Sequence, residues 1–169
     1  MASDLSLRRT LTVRAGGAKL VLTKKRGESA EHVWMKAALW ALYLPEYPGL
    51  KVEVSIGDPF KPDVVSLAPP PGGLAYGDPE PTFWGEAGKV SERKWRSLLR
   101  RFPDTHFALA RWDERLEPHA AIIRRALGDR LRRAPIDLLR LGPGVERALT
   151  EGSLSFAEVE RVRVAQGDP

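Results

Sequence analysis

Three carboxylates and two lysines stand where this 169-residue chain could do chemistry. Asp63 opens a short apolar run, Val64 to Leu67, and Glu86 closes the next one, which begins at Thr82-Phe83-Trp84. Glu31 lies in the first turn of an apolar helix predicted to start at Ser29. Lys89 follows Glu86 in a tight turn through Gly85 and Gly88, and Lys94 falls in the first turn of a helix capped by Ser91. If the two strands are neighbours, Asp63 and Glu86 share one end of a sheet. Carboxylates gathered there repel unless a cation lies between them, and Mg²⁺ or Mn²⁺ prefers such oxygen ligands. A metal held this way polarises a phosphodiester oxygen and generates a hydroxide nucleophile. A lysine beside it orients the water or stabilises the developing charge. The candidate metal ligands are therefore Asp63, Glu86 and Glu31; Asp63, Glu86, Lys94 and Lys89 are the candidate catalytic groups. Each has a plainer alternative: a solvated strand end, a first-turn glutamate favoured by the helix dipole, a surface lysine.

The elements that must position these residues follow from periodicity. Residues 5–14 and Ala18 to Lys24 alternate apolar and polar around Gly16-Gly17 and predict an antiparallel hairpin. Ser29 to Leu44 predicts a helix stopped by Pro45 and Pro48. Its apolar positions cover most of the circumference and leave His32 and Lys36 as a thin polar stripe, so it should be deeply buried. An apolar surface of that width also suits a second copy of the chain, so a homodimer is one expectation. Strands are predicted at Leu50 to Ile56 and Val64 to Leu67, then a Pro- and Gly-rich loop over 68–81, then the Glu86 strand. The Ser91 helix runs to about Phe102, with Val90 and Trp95 placed as a hydrophobic staple. A strand over His106 to Trp112, a helix from Pro118 to about Arg133 with Leu131 on its apolar face, and a strand over Ile136 to Leu141 follow. Val145 to Glu151 reads as helix or strand, and Leu154 to Val164 as short strands or one bent element. The order predicts one α/β domain over 1–169, with a mixed central sheet flanked by helices and an N-terminal hairpin.

Composition narrows the partner. The net charge is +5, which suits a polyanion, and Arg93, Arg96 and Arg100 lie off the apolar face of the Ser91 helix, where they could track a nucleic-acid backbone. With no cysteine, thiolate metal sites and disulfides are excluded. No run of 18 apolar residues is present, so no membrane partner is expected, and MASDLSLRR lacks a signal-peptide core, which predicts a cytoplasmic protein. His32, His106 and His119 have no ligand spacing to one another and read as structural or surface residues. Trp34, Trp40, Trp84 and Trp95 fall on apolar faces and are predicted core. There is no Walker loop, no GxGxxG turn and no GxSxG elbow.

Pro62-Asp63, then Glu86 and a lysine, resembles the signature of the PD-(D/E)xK nuclease superfamily. Two departures stand against it: Pro-Asp occurs again at Pro103-Asp104, and Glu86-Ala-Gly-Lys89 has one residue too many before the lysine. The segment Phe83-Trp84-Gly85-Glu86-Ala87-Gly88, with Ser91-Glu92-Arg93-Lys94 after it, resembles the bacterial YaeQ family. That family carries a W-x-E-x-G strand running into a helix with an acidic residue and a basic cluster. Glu31-His32 and Ala38-Leu39-Trp40 resemble its first helix, which has an E-R pair in that place. The resemblance implies a restriction-endonuclease-like fold with the lysine moved onto the following helix, so Lys94 ranks before Lys89. It implies a fold more than a reaction. Two functions are thus expected: a Mg²⁺- or Mn²⁺-dependent nuclease-like enzyme, or a catalytically inactive nucleic-acid-binding or regulatory protein on the same scaffold.

Overall fold

The computed structural model describes residues 10–68 and 79–165. Strands β1 (Thr10–Ala15) and β2 (Ala18–Thr23) pair antiparallel as a separate hairpin, with Gly16 and Gly17 both at positive φ in its turn. The predicted start of β1, residues 5–9, lies outside the described residues, as do residues 69–78 of the Pro/Gly-rich loop.

The remaining strands form one mixed six-stranded sheet in the order β3-β4-β5-β6-β7-β8. They are β3 (Lys51–Val52), β4 (Val64–Leu67), β5 (Pro81–Ala87), β6 (His106–Trp112), β7 (Ile136–Leu141) and β8 (Glu160–Ala165). The three central strands β5, β6 and β7 run parallel, and β3, β4 and β8 pair antiparallel at the flanks. The helices are α1 (Ala30–Tyr43), α2 (Glu92–Arg101), α3 (Glu117–Leu127) and α4 (Val145–Glu151). A single 3₁₀ turn, Phe156–Glu158, precedes β8.

The alternation of β5 divides two cores. Phe83 and Ala87 face α1 with Val64, Ala108, Leu139 and most of that helix. Trp84 faces α2 and α3 with Trp95, Leu98, Phe107, Leu109 and Ile123. Gly85 is needed where β5 meets α1, since a Cβ there would come within 3.3 Å of Leu39 and Val64. The four predicted core tryptophans are all buried, and Val90 and Trp95 share the second core as a staple requires. Ser29 and Ser91 cap α1 and α2 by accepting from the backbone amides of His32 and Lys94.

Three expectations are corrected. The predicted Leu50 to Ile56 strand stops at Val52, because Glu53 turns into the left-handed region (φ 59°) and leaves the sheet. The predicted Pro118 to Arg133 helix ends at Leu127, where Gly128 (φ 59°) closes it. Leu131 is consequently 81% exposed and not part of an apolar face, and Arg132 turns inward to donate to the carbonyls of Phe102, Thr105 and Ala134. The segment Val145–Glu151 resolves as a helix, and the tail ends in one strand.

Candidate functional site

Antiparallel pairing of β4 with β5 sets Val64 opposite Gly85, so the start of β4 and the end of β5 lie at one end of the sheet. That brings Asp63 and Glu86 together. Asp63 Oδ2 accepts the backbone amide of Ala87 at 2.8 Å, while its own amide donates to the Gly85 carbonyl at 3.1 Å. Glu86 is 4% exposed and faces α2. Its Oε1 accepts from Trp84 Nε1 and from Lys94 Nζ, both at 2.8 Å. Burial raises the Glu86 carboxyl above its ordinary range; Lys94 and Trp84 pull it back, and the charge on Asp63 raises it further. A buried carboxyl paired with one lysine, against a second carboxylate, is the kind of perturbed pair that marks functional sites.

The other candidates separate. Lys94 is in the site. Lys89 is exposed in the turn after β5, and Glu31 is exposed in the first turn of α1. Neither joins an ion pair among the described residues. Arg93, Arg96 and Arg100 are exposed on the outer face of α2, where Arg96 pairs with Glu92 at 3.0 Å.

The sequence reading missed what α1 brings to the same end. His32, read as a structural or surface residue, is half-buried and paired: its Nδ1 donates to Glu28 Oε2 at 2.6 Å, and Nε2 lies 3.7 Å from Asp63 Oδ1. The facing Asp63 carboxylate raises the His32 ring above 6.5, with Glu28 adding to the effect against burial. Lys36, expected on a polar stripe, is 1% exposed. Its Nζ reaches Glu28 Oε2 at 2.5 Å and also Glu53. The left-handed Glu53 is what delivers that second carboxylate, and Lys25 meets it at 3.5 Å from outside. Burial raises the Glu28 carboxyl, but hydrogen bonds from Lys36, the Lys25 amide and His32 outweigh it and hold it down at about 2. A glutamate ahead of the helix at i−4 from His32 was the available signal for Glu28; nothing local marks Glu53.

A second buried cluster lies at the opposite end of the sheet, on the α1 face. Asp137, at 0% exposure, accepts from Tyr43 OH (2.8 Å), His106 Nε2 (2.7 Å) and Arg163 Nε (2.8 Å). Tyr47 OH lies 2.9 Å from His106 Nδ1 and completes it. Burial raises the Asp137 carboxyl, yet His106, Arg163 and Tyr43 together drive it well below the ordinary carboxylate range. Burial pushes Tyr47 up to about 12 and Tyr43 higher still.

Solved structures share this arrangement of elements. A YaeQ protein from Pseudomonas syringae superposes with a TM-score of 0.54 at 15% identity, covering 90% of this chain and 85% of that one. A YaeQ protein from Xanthomonas axonopodis pv. citri gives 0.52 at 14% identity, covering 85% and 77%. The fold is YaeQ-like. No family model matches the sequence, and no curated protein does. At this identity the likeness extends to the course of the backbone, and the chemistry must be argued from this chain's own side chains. Among the described residues no helix is long and apolar enough to cross a membrane.

Proposed function

We propose that the Asp63–Glu86 end of the sheet is a phosphodiester site of restriction-endonuclease-like design, acting on nucleic acid with a Mg²⁺ or Mn²⁺ ion. The observation that carries the reading is Glu86: a nearly fully buried carboxyl, paired with Lys94 and set beside a second carboxylate at a strand end. The donor set fits a hard divalent ion. Glu86 Oε1 is anchored by Trp84 and Lys94, and Asp63 Oδ2 by the Ala87 amide, so each carboxylate keeps one oxygen, Oε2 and Oδ1, outside these bonds. One or two carboxylates, with water and phosphate oxygens, are what Mg²⁺ ordinarily takes. Bound there, the ion would supply Lewis-acid polarisation and a lowered water pKa.

The chain's own residues do the rest. Lys94 favours the charged form of Glu86 against burial and offers its remaining protons to a phosphate oxygen. Trp84 and the Ala87 amide fix the carboxylates against rotation, which preorganises the charge. Glu28 fixes the orientation of His32, and Lys36 fixes Glu28, so the imidazole is aimed at Asp63 by two successive contacts. The exposed Arg93, Arg96 and Arg100 offer the backbone of a polyanion sequence-independent contacts.

A second reading is a binding or regulatory protein on the same fold. One observation favours it: His32 and Lys94 already face the two carboxylates, and among the described residues no three His, Cys, Asp or Glu side chains are grouped to hold an ion. Calorimetric titration of Mn²⁺ into wild type, Asp63→Ala and Glu86→Ala separates the two. The nuclease reading expects binding in wild type that both substitutions abolish. Folded wild type that takes up no Mn²⁺ at millimolar concentration, with or without an oligonucleotide, would leave the binding-protein reading in its place.

A further inference from the structure

We infer that Arg111, on the strand beside Glu86, is a positioning residue that holds a phosphate oxygen of the bound nucleic-acid strand. The inference rests on the phosphodiester reading above and adds an anion subsite to it.

Register places the residue. Glu86 pairs with Leu109 and Ala87 with Ala110, and the ladder continues one step further through the Gly88 amide, which donates to the Ala110 carbonyl at 3.1 Å. Side chains alternate along a strand, so Arg111 projects on the same face as Leu109, which is the face that carries Trp84 and Glu86. It therefore stands beside the position two residues beyond Glu86 on its own strand. That position is Gly88, with φ +106°, where any other side chain would be strained. A Cβ built there would lie 3.8 Å from Arg111 Nη1. The space that a strand-borne cation two residues after Glu86 would use is left open by glycine and bordered by a guanidinium from the neighbouring strand.

The guanidinium is also suited to the task. Only 13% of the Arg111 side chain is exposed, so its charge acts in a partly desolvated setting. Its Nε and Nη2 both meet one oxygen of Glu114, at 2.8 and 2.7 Å. His119 Nε2 shares that oxygen at 2.9 Å. Glu114 thus fixes one edge of the fork, and among the described residues Nη1 has no acceptor. An arginine with one edge fixed by a carboxylate and another donor open is set up for a phosphate oxygen. The surrounding geometry also agrees, because parallel strands present ligands at their carboxyl ends, and β5 and β6 end here.

The test is fluorescence anisotropy of a labelled single-stranded oligonucleotide, with Ca²⁺ present to withhold turnover, for wild type, Arg111→Gln, Arg111→Lys, Glu114→Gln and Arg147→Gln. Arg111→Gln should weaken binding about tenfold and lower the salt dependence by about one phosphate contact. Arg111→Lys should recover the salt dependence but not the affinity, because a point charge lacks the fork. Glu114→Gln should bind about threefold tighter by releasing the edge it competes for, a gain that misfolding would not mimic. Arg147→Gln, on α4 where Arg147 pairs with Glu151, should match wild type. Wild-type affinity in Arg111→Gln would overturn the inference and leave the phosphodiester reading standing. Weaker binding in both Arg111→Gln and Glu114→Gln would also overturn it, by showing that the pair only braces the strand end. If folded wild type binds no oligonucleotide, both fall.

Discussion

Asp137 and Glu86 lie in the same six-stranded sheet, each almost without exposed surface, and their surroundings push them in opposite directions. Asp137 is surrounded by donors from three elements, Tyr43 on α1, His106 on β6 and Arg163 on β8, and the Tyr47 hydroxyl beyond α1 meets the other nitrogen of His106. Its carboxyl is driven down. Glu86 has two donors, one of them an indole, and a like charge nearby, and its carboxyl is driven up. A fully satisfied buried charge braces a fold; an incompletely satisfied one stores free energy that a ligand can release. On the reading proposed above, the end of the sheet with the Asp137 cluster braces the fold, and the end with Glu86 is the one set up for a ligand.

The largest effect should come from breaking the satisfied end. Asp137→Asn removes the charge that His106 and Arg163 were folded around and should cost about 3 kcal/mol, in the range measured for severed buried pairs. Urea unfolding measures it directly. The loss should also change with pH in a defined sense. A carboxyl with a folded value below its ordinary 3.8 contributes stability above that value and loses it as pH falls towards the folded one. Wild type should thus lose stability below about pH 4, and Asp137→Asn should lose less there. A cost under about 0.5 kcal/mol would show that the three donors hold one another as well without the carboxylate.

Glu86→Gln should do the reverse, gaining about 1 kcal/mol at neutral pH, as substitutions that relieve a strained functional site commonly do. The sign follows from the raised carboxyl. Its folded value exceeds the ordinary 4.5, so the ionised form costs stability, and the cost appears as pH rises from 4.5 through the folded value. The advantage of Glu86→Gln should therefore be small at pH 4 and grow as pH rises through the folded value. Should thermal melts show Glu86→Gln as unstable as Asp137→Asn, the division of the sheet into a bracing end and a working end would be wrong.

The same contrast explains what could be read in advance. The Glu86 end was legible because its parts are local: Trp84 and Glu86 are two residues apart on one strand, and Lys94 opens the helix that the Ser91 cap announces. Asp63 was legible as the start of an apolar run. The Asp137 cluster was not, because its contacts span 31 residues to His106 and 94 to Tyr43, and no periodicity records a partner at that range. Lys36 was read as part of a thin polar stripe on α1, but its partners were not legible, because the left-handed turn at Glu53 brings in a carboxylate from 17 residues away. The strands β4, β6 and β7 were read to the residue because strands buried on both faces are near-continuous apolar runs. The helix α3 was read too long because arginines continue its pattern past Gly128, and a glycine's φ is not written in its neighbours.

The smallest difference between the two ends is access of solvent to an imidazole. His106 is 2% exposed, whereas the side chain of His32 is 31% exposed, at the rim of the Glu86 end. His32 faces Asp63 and Glu28, with Lys36 behind Glu28, and the carboxylates dominate, so the ring is raised above 6.5. A raised histidine contributes stability that is full below 6.5 and is lost as pH climbs through the folded value. Solvent screening at this exposure keeps the contribution below about 1 kcal/mol. In metal-free buffer, wild type should therefore be less stable at pH 8.5 than at pH 6 by a few tenths of a kcal/mol more than His32→Gln is. Measured by paired urea midpoints, an equal pH dependence in the two proteins would mean that Asp63 does not hold the ring charged. The path from Lys36 through Glu28 and His32 would then end at the imidazole, and the Glu86 end would keep only Lys94 and Trp84 to tune it.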